Sequence, residues 1–523
     1  MSKRNTTRFI AQPRLSALML ATLVLTGCAN ITPQPLADKE VRDAVAQDQK
    51  AVRQGVEPIA GPLTLNEAMA RALKYNLERR AKMMEESIAL GQLDVTKFDM
   101  LPRLMAQAGY ASRDTARFTW SSGYNSTTPS STNPLNTSTS AEPNHTMSEL
   151  GLTWSLLDYG MGKSASEQAA NRVLVAAEKR RKAMHVLMQD VRTAYWRAAS
   201  AQLLRDDVAR TVKLAEEALA DSRKAAGEML RTPLEPLRYQ RQLLENLRLL
   251  ESINQELSTA MVDLANLINA PVGQPIVIAD AQVRQTADNL AEVPVQRLEE
   301  VALLNNADLR EQHYNTRVAQ EEVRKTMVRL FPNITFSYGM KYDSDAYLLH
   351  NQWNETGLQL SWNLMNLFTG ATQKKLAEAG VKLADQRRLA SQMAVVTQVH
   401  LSRLQLMNAR SQLSRAEAIY NTDRQIADLM KNRQVAAAQS KLDSVSNETA
   451  AILSLLRRYQ AMAQVQVAEN RLMATLGMEP KIGSTQETSL QDLTRQLAAA
   501  PLPWTQLKDT APMVQPVTVS TKW

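Results

Sequence analysis

The side chains best suited to acid–base or metal chemistry are five histidines, His145, His185, His313, His350 and His400, scattered singly along 523 residues. No His-Glu-x-x-His face and no paired-cysteine spacing accompanies them, so neither a zinc site nor a catalytic triad follows from spacing. Gly160-Met161-Gly162-Lys163-Ser164 imitates the end of a phosphate-binding loop. The full pattern needs a glycine five positions before Gly162, where Leu157 stands, and a buried parallel strand ahead of it. A strand-to-helix turn is the expectation there instead. The 23 methionines could hold a soft metal through their thioethers, but apart from Met83-Met84 they are dispersed, as gap-filling side chains are. No set of residues supports a reaction, a metal site or a cofactor. The chain reads as a non-enzyme.

One residue does carry chemistry. Lys3, Arg4, Arg8 and Arg14 precede an apolar run from Leu15 to Leu25, which leads into Leu25-Thr26-Gly27-Cys28. Positive residues, a short apolar core and small residues make a secretory signal peptide over 1–27. Cys28 is the only cysteine, so it has no intramolecular disulfide partner. The Leu-Thr-Gly-Cys segment resembles a bacterial lipobox, which would make Cys28 the acylated (palmitate-bearing) first residue after cleavage. Ala29 follows, not the aspartate associated with inner-membrane retention, so outer-membrane sorting is allowed. Residues 28–62, polar with scattered prolines, read as an extended acylated lead.

The rest of the chain says one thing twice. Asn76 and Asn306 are 230 residues apart, as are Pro102 and Pro332, whereas Trp154 and Trp362 are 208 apart, as are Leu234 and Leu442. The 22-residue difference falls within one loop of the first copy, rich in Ser, Thr, Asn and Pro over 112–148. In each copy a helical stretch leads through Leu101-Pro102 or Phe331-Pro332 into a pair of strands. From Asn333 to Tyr342 every even position is apolar and every odd one small, polar or charged; Leu358–Leu364 and Leu150–Leu156 alternate likewise. The strand from Leu104 is weaker because Met105 falls on the polar side. Period two gives a sheet with one apolar face. Strands of about ten residues with Tyr110, Trp120, Tyr342, Trp353 and Trp362 near their ends match lipid-facing strands with aromatic girdles.

Helices must position these strands. Thr64 and Glu67 form a capping box opening a helix expected to run to about Met100. Lys163–Ala226 has no glycine or proline over 64 residues, roughly 95 Å as a helix. The segments at about 65–99 and 235–268 are near half that length, so two stacked end to end would match one long helix. The organisation expected is a first repeat at 63–270, with strands about 103–113 and 147–157 and a helical tip about 227–237. A second repeat follows at 295–480, with strands about 333–343 and 353–364 and a tip about 435–445. Residues 481–523 form a C-terminal tail, expected to be extended. The net charge of +8 is mixed along helices with no basic block, which argues against nucleic acid.

Four strands cannot close a barrel, and an open edge in lipid leaves backbone groups unsatisfied at several kcal/mol each. Closure therefore needs several copies. At this point Leu65-Asn66-Glu67-Ala68, Ala72-Leu73-Lys74-Tyr75-Asn76, the Leu101-Pro102 step into the strands, the Trp-x-Leu strand ends and the duplicated layout resemble the TolC-like outer-membrane efflux protein family over residues 63–480. The lipobox resembles its lipoprotein branch. The resemblance implies a mainly α protein with a membrane β-barrel: a homotrimer with a 12-stranded barrel in outer-membrane lipid on a long α-helical periplasmic barrel. It implies a passive exit duct for small molecules in a tripartite efflux system, docked to a periplasmic adaptor protein and an inner-membrane pump of RND or ABC type.

The tips implied for adaptor docking are Gly227, Glu228, Met229, Leu230 and Arg231, with Val435, Ala436 and Ala437. Asp443 matches an aspartate that lines the narrowest constriction in some members, Ser446 stands where a second would be, and Glu235 holds the equivalent place in the first copy. An exit channel for type I protein or polysaccharide secretion is the alternative within the same fold. A lipid-anchored coiled-coil scaffold without a pore is the alternative outside it, and it leaves the strands unexplained.

Overall fold

The computed structural model of the chain describes residues 34–121, 136–228, 234–279, 293–435, 441–478, 485 and 487–499. It divides into two units, 1–57 and 58–523. In the first, Asp38–Arg53 is a helix (α1), not the extended lead that its prolines suggested. Those prolines only flank it, at 33, 35, 58 and 62. Between them Asp38 and Glu40 in the first turn and Lys50 and Arg53 in the last complement the helix dipole.

The second unit holds the duplication. Copy one comprises α2 (Leu65–Tyr75), α3 (Leu77–Phe98), β1 (Arg103–Ser112), β2 (Arg117–Ser121), β3 (Asn136–Ala141), β4 (Asn144–Ser155), α4 (Leu156–Glu228) and α5 (Leu234–Leu267). Copy two comprises α6 (Val295–Asn305), α7 (Ala307–Arg329), β5 (Asn333–Asp343), β6 (Gln352–Ser361), α8 (Asn366–Val435) and α9 (Lys441–Thr475), after which α10 (Leu490–Ala499) follows. The 73 residues of α4 make a helix of about 110 Å.

The helix expected to run unbroken to Met100 is broken at Asn76, and the same break recurs at Asn306. Each asparagine sits in extended backbone, ends one helix and caps the next: Asn76 Oδ1 accepts from Arg79 N, and Asn306 Oδ1 from Leu309 N. The other half of each amide reaches across the fold. Asn76 Nδ2 donates to the Leu267 carbonyl at the end of α5 (3.1 Å), and Asn306 Nδ2 to the Thr475 carbonyl at the end of α9 (2.9 Å). Those carbonyls are among the four that any helix leaves without a partner. Just beyond them, Asn269 and Gly477 take positive φ (54° and 65°), with Ala270 N bonded to Ala265 O and Met478 N to Met473 O, so both helices end in Schellman turns. At Gly477 a Cβ would lie 2.1 Å from the Asn305 carbonyl oxygen, so no other residue fits.

The helices form four rows. Row one is α3 and α5, each packed on α4; α4 is row two; row three is α7 and α9, each between α4 and α8; α8 is row four. Stacking two half-length helices against one long one is therefore how the fold uses the tip-to-strand length. Apolar clusters hold the rows together. Leu204, Val208, Leu250, Ile253, Leu257, Ile452 and Leu456 join α4, α5 and α9, while Leu298, Val301, Val395, Val399, Leu406 and Leu472 join α6, α8 and α9. The C-terminal segment is not wholly extended: α10 packs on α2.

The strands above the rows keep their order. One antiparallel sheet runs β1-β4-β5-β6, and a separate hairpin, β2-β3, occupies part of the region that composition marks as loop. Thr, Phe and Trp in Arg117–Ser121 suffice for a short strand once a partner of Ser and Thr lies opposite.

Replacing Asn306 by alanine removes a cap and strands a buried carbonyl. Asn306→Ala should lower stability by about 1–3 kcal/mol, and Asn76→Ala by a similar or smaller amount. Denaturant titration of the detergent-solubilised protein checks this; an unchanged midpoint for both would show that neither amide bears on stability.

Candidate functional site

The two faces of the four-stranded sheet differ in chemistry, and register fixes which residue lies on which. Leu150 pairs with Ala106 and Met340, Leu152 with Leu104 and Tyr338, Trp154 with Phe336, and Phe336 and Ile334 with Leu358 and Leu360. That is the apolar face, and Leu104, Leu150, Phe336, Met340, Leu358 and Leu360 are all exposed on it. The opposite face carries Gln107, Glu149, Lys341 and Trp353 in one cross-strand row, with Glu355 beside them and Gly151, Gly339 and Gly357 next along the strands. Trp353 therefore belongs to the polar face, not to the apolar girdle that its place in the sequence suggested: it pairs with Lys341, and its position has odd parity on β6.

Strand meets helix in the same way twice. Trp154 Nε1 donates to the Met100 carbonyl at 3.3 Å, and Trp362 Nε1 to the Leu330 carbonyl at 3.0 Å. Each indole thus serves a carbonyl left free where the preceding helix ends. Gly162 and Gly370 occupy equivalent places below them. A Cβ on Gly162 would lie 3.0–3.2 Å from Asp99 and Met100, and one on Gly370 3.0 Å from Leu330. The phosphate-loop look-alike is explained by this contact. No strand-to-helix turn exists there, because α4 begins directly after Ser155, whose Oγ caps it by accepting from Asp158 N.

At the other end of β4 and β5 lies a polar knot. His145 Nδ1 meets Asp343 Oδ1 at 2.7 Å, and Asp343 Oδ1 also accepts from Asp345 N. The buried Asp345 carboxylate accepts from Glu142 N and Tyr347 N, and Asn351 Nδ2 donates to the carbonyls of Asp343 and Asp345. His400 meets Glu299 at 2.7 Å on the helices. His313 is held below its ordinary pKa by burial first, then by Arg388 and Arg317. Among the described residues no cluster of three metal-ligating side chains occurs.

Of the sequence-derived site residues, Cys28, Met229, Leu230, Arg231, Ala436 and Ala437 lie outside the described residues. Gly227 and Glu228 are in the last turn of α4, Val435 ends α8, Glu235 is in the first turn of α5 and Asp443 in that of α9, their side chains lying outside the described set. Behind the last two, Asn246 Nδ2 donates to Ser446 Oγ at 3.1 Å, joining α5 to α9. Sequence reading passed over the Glu149, Lys341 and Glu355 group. Its signal was available, as three charges on the polar parity of their strands, but only register makes them neighbours.

Among the described residues no helix is long and apolar enough to cross a membrane, which says nothing of strands. A sheet with an apolar and a polar face, continued row by row into long helices and built twice, is the fold of the bacterial outer-membrane channels. The open-state MtrE channel of Neisseria gonorrhoeae shares it at 16% identity (TM-score 0.59), over 79% of this chain and 89% of that one. The CmeC channel of Campylobacter jejuni shares it at 12% identity (TM-score 0.57), over 90% and 97%. VceC of Vibrio cholerae does so at 15% (TM-score 0.55), over 79% and 96%. No curated protein matches the sequence. Residues 298–478 match the family described as outer membrane efflux protein. The second copy of the duplicated unit thus carries an outer membrane efflux protein domain, and the chain shares its fold with the TolC-like channels.

Proposed function

We propose that three copies of the chain close a 12-stranded β-barrel through the outer membrane, continued across the periplasm by a helical barrel, and that this path is the passive exit duct of a tripartite efflux system for small molecules. The observation that carries the reading is a pair of open flanks. Among the described residues β1 and β6 each lack a neighbour on one side, and the helical rows that continue them, α3 with α5 and α8, lie at the corresponding flanks. Large apolar side chains stay exposed on those outer rows, among them Met84, Ile88 and Phe98 on α3 and Phe368, Leu376 and Met393 on α8. An unpaired strand edge costs several kcal/mol per group in hydrocarbon, so the apolar face can meet lipid only if the edges pair. Joining β6 of one copy to β1 of the next, and α8 to the next row one, satisfies both demands.

A scaffold without a pore would leave this sheet without a purpose. Nothing along the path performs chemistry, so energy and choice of cargo come from a periplasmic adaptor and an inner-membrane pump of RND or ABC type. The adaptor meets the tips at Gly227–Arg231 and Val435–Ala437. Asp443 and Glu235, each in the first turn of a helix, narrow the path there, and a lipid on Cys28 anchors the mature N-terminus to the outer membrane.

Purified in detergent, the protein should run as a trimer and give discrete conductance steps in planar bilayers, whereas Phe368→Asp with Leu376→Asp on the free flank of α8 should yield monomers. A monomeric, non-conducting wild type would sink the reading. At the tip, Asp443→Ala with Glu235→Ala should raise conductance and antibiotic entry; unchanged permeability would remove both carboxylates from the constriction. Radiolabelled palmitate should mark the wild type and not Cys28→Ser, and label on both would place acylation elsewhere.

A further inference from the structure

We propose that Glu149, Lys341 and Glu355 form a charge strip on the barrel wall that makes the outer part of the lumen prefer cations over anions. The inference rests on the trimeric-pore reading and adds to it a selective element far from the helical tips.

The strip is isolated and built. Along the polar face, the charged residues apart from these three are Arg103 at the helix end, 3.5 Å from Asp158, and Asp343 with its partner His145 at the loop end. Between them Lys341 Nζ lies 2.7 Å from Glu355 Oε2 and 3.9 Å from Glu149 Oε1. One ammonium thus faces two carboxylates and neutralises one, leaving a net charge of −1 per chain and −3 around a trimeric ring. The carboxylate of Glu149 lies down on a glycine floor. A Cβ on Gly339 would be 3.0 Å from its Oε1, and one on Gly151 3.5 Å away. A side chain at Gly339 would push it away from the wall, whereas one at Gly151 would only touch it, so Gly339 is the position that lets the charge lie flat.

The reach of such a ring can be bounded. Twelve strands about 4.8 Å apart and tilted about 45° give a backbone radius of roughly 13 Å. The Debye length is about 30 Å at 0.01 M salt and about 3 Å at 1 M. At low salt the three strips therefore act on the whole cross-section, and at high salt only on the layer at the wall. Acidic side-chain rings favour cations in other channels by the same physics.

The test is the reversal potential of the reconstituted trimer under a KCl gradient at low ionic strength, read as a potassium-to-chloride permeability ratio. The wild type should favour potassium, Glu149→Gln with Glu355→Gln should lower the ratio about twofold or more, and Lys341→Met should raise it. Heat-resistant trimers on gels check assembly. Conducting trimers whose ratio is the same in all three proteins, or moves the same way in both variants, overturn the proposal. If a variant does not assemble, the salt series is run on Asp443→Ala with Glu235→Ala, which lacks the tip carboxylates: a cation preference that persists there at low salt and fades towards 1 M supports a wall strip, and no preference there, or one unchanged at 1 M, overturns it. A wild type that never conducts fails at the pore reading instead.

Discussion

Backbone hydrogen bonds at the two free strand edges are the constraint on which the rest of this molecule turns. β4 and β5 have neighbours on both sides, while β1 and β6 each present one edge with no partner among the described residues. Exposed apolar residues cover one face of the same sheet. Either feature alone has a soluble solution: an edge can be solvated, and an apolar face can be covered by a helix. The proposed barrel of several chains in lipid would meet both at once. The helices below follow the same order, so an association that paired the strands would also cover α8 and row one.

Duplication makes this economical, because one set of local devices is used twice. An asparagine breaks a helix and caps the next while its amide satisfies the end of a distant helix. An indole N–H reaches the last turn before each strand pair, and a glycine lets the following long helix approach that turn. The asparagine and the indole each supply a donor to a carbonyl where a helix ends, and the glycine makes room for that contact. The devices cluster where helix meets helix end or strand, since those are the places at which regular secondary structure cannot satisfy itself.

Much of this was legible from the residues, and the physical reason is periodicity. Alternation in Asn333–Tyr342 defines faces without knowledge of the partner strand, and equal offsets between Asn76 and Asn306 or Trp154 and Trp362 expose the repeat. What escaped depended on non-local geometry. Trp353 looked like a girdle residue until pairing with Lys341 assigned its face. The break at Asn76 was hidden because asparagine favours caps without requiring one, and the Leu267 carbonyl that its amide meets lies far away in sequence. Gly162 suggested a phosphate loop or a turn, whereas its role is set by Met100, more than sixty residues away in sequence. For the same reason Glu149 and Lys341 could not be seen as neighbours.

The places where the copies differ are as informative as those where they agree. Three residues after each breaking asparagine stand Arg79 and Leu309, both buried. Leu309 joins the apolar cluster of α6, α8 and α9. Arg79 instead donates to the Leu73 carbonyl at the end of α2 and, at 2.8 Å, to Thr485 Oγ1. Burial, with Arg180 and Arg80 nearby, pulls its pKa down to about 10, which leaves it charged at neutral pH. The same contrast holds between Arg71, bonded to Glu67 and the Pro58 carbonyl, and its counterpart Val301 in the core. Lys74 adds a bond to the Thr488 carbonyl. At these two positions copy one thus has cationic tethers to the segments before and after the repeats where copy two has apolar packing, although α2 still buries Met69, Leu73 and Tyr75. A buried arginine is costly without partners and directional with them. The tethers therefore fix where α10 and the chain leading into α2 attach, and they distinguish two otherwise equivalent halves. In the proposed ring of three chains the walls would hold six similar units, with these attachments on only alternate ones.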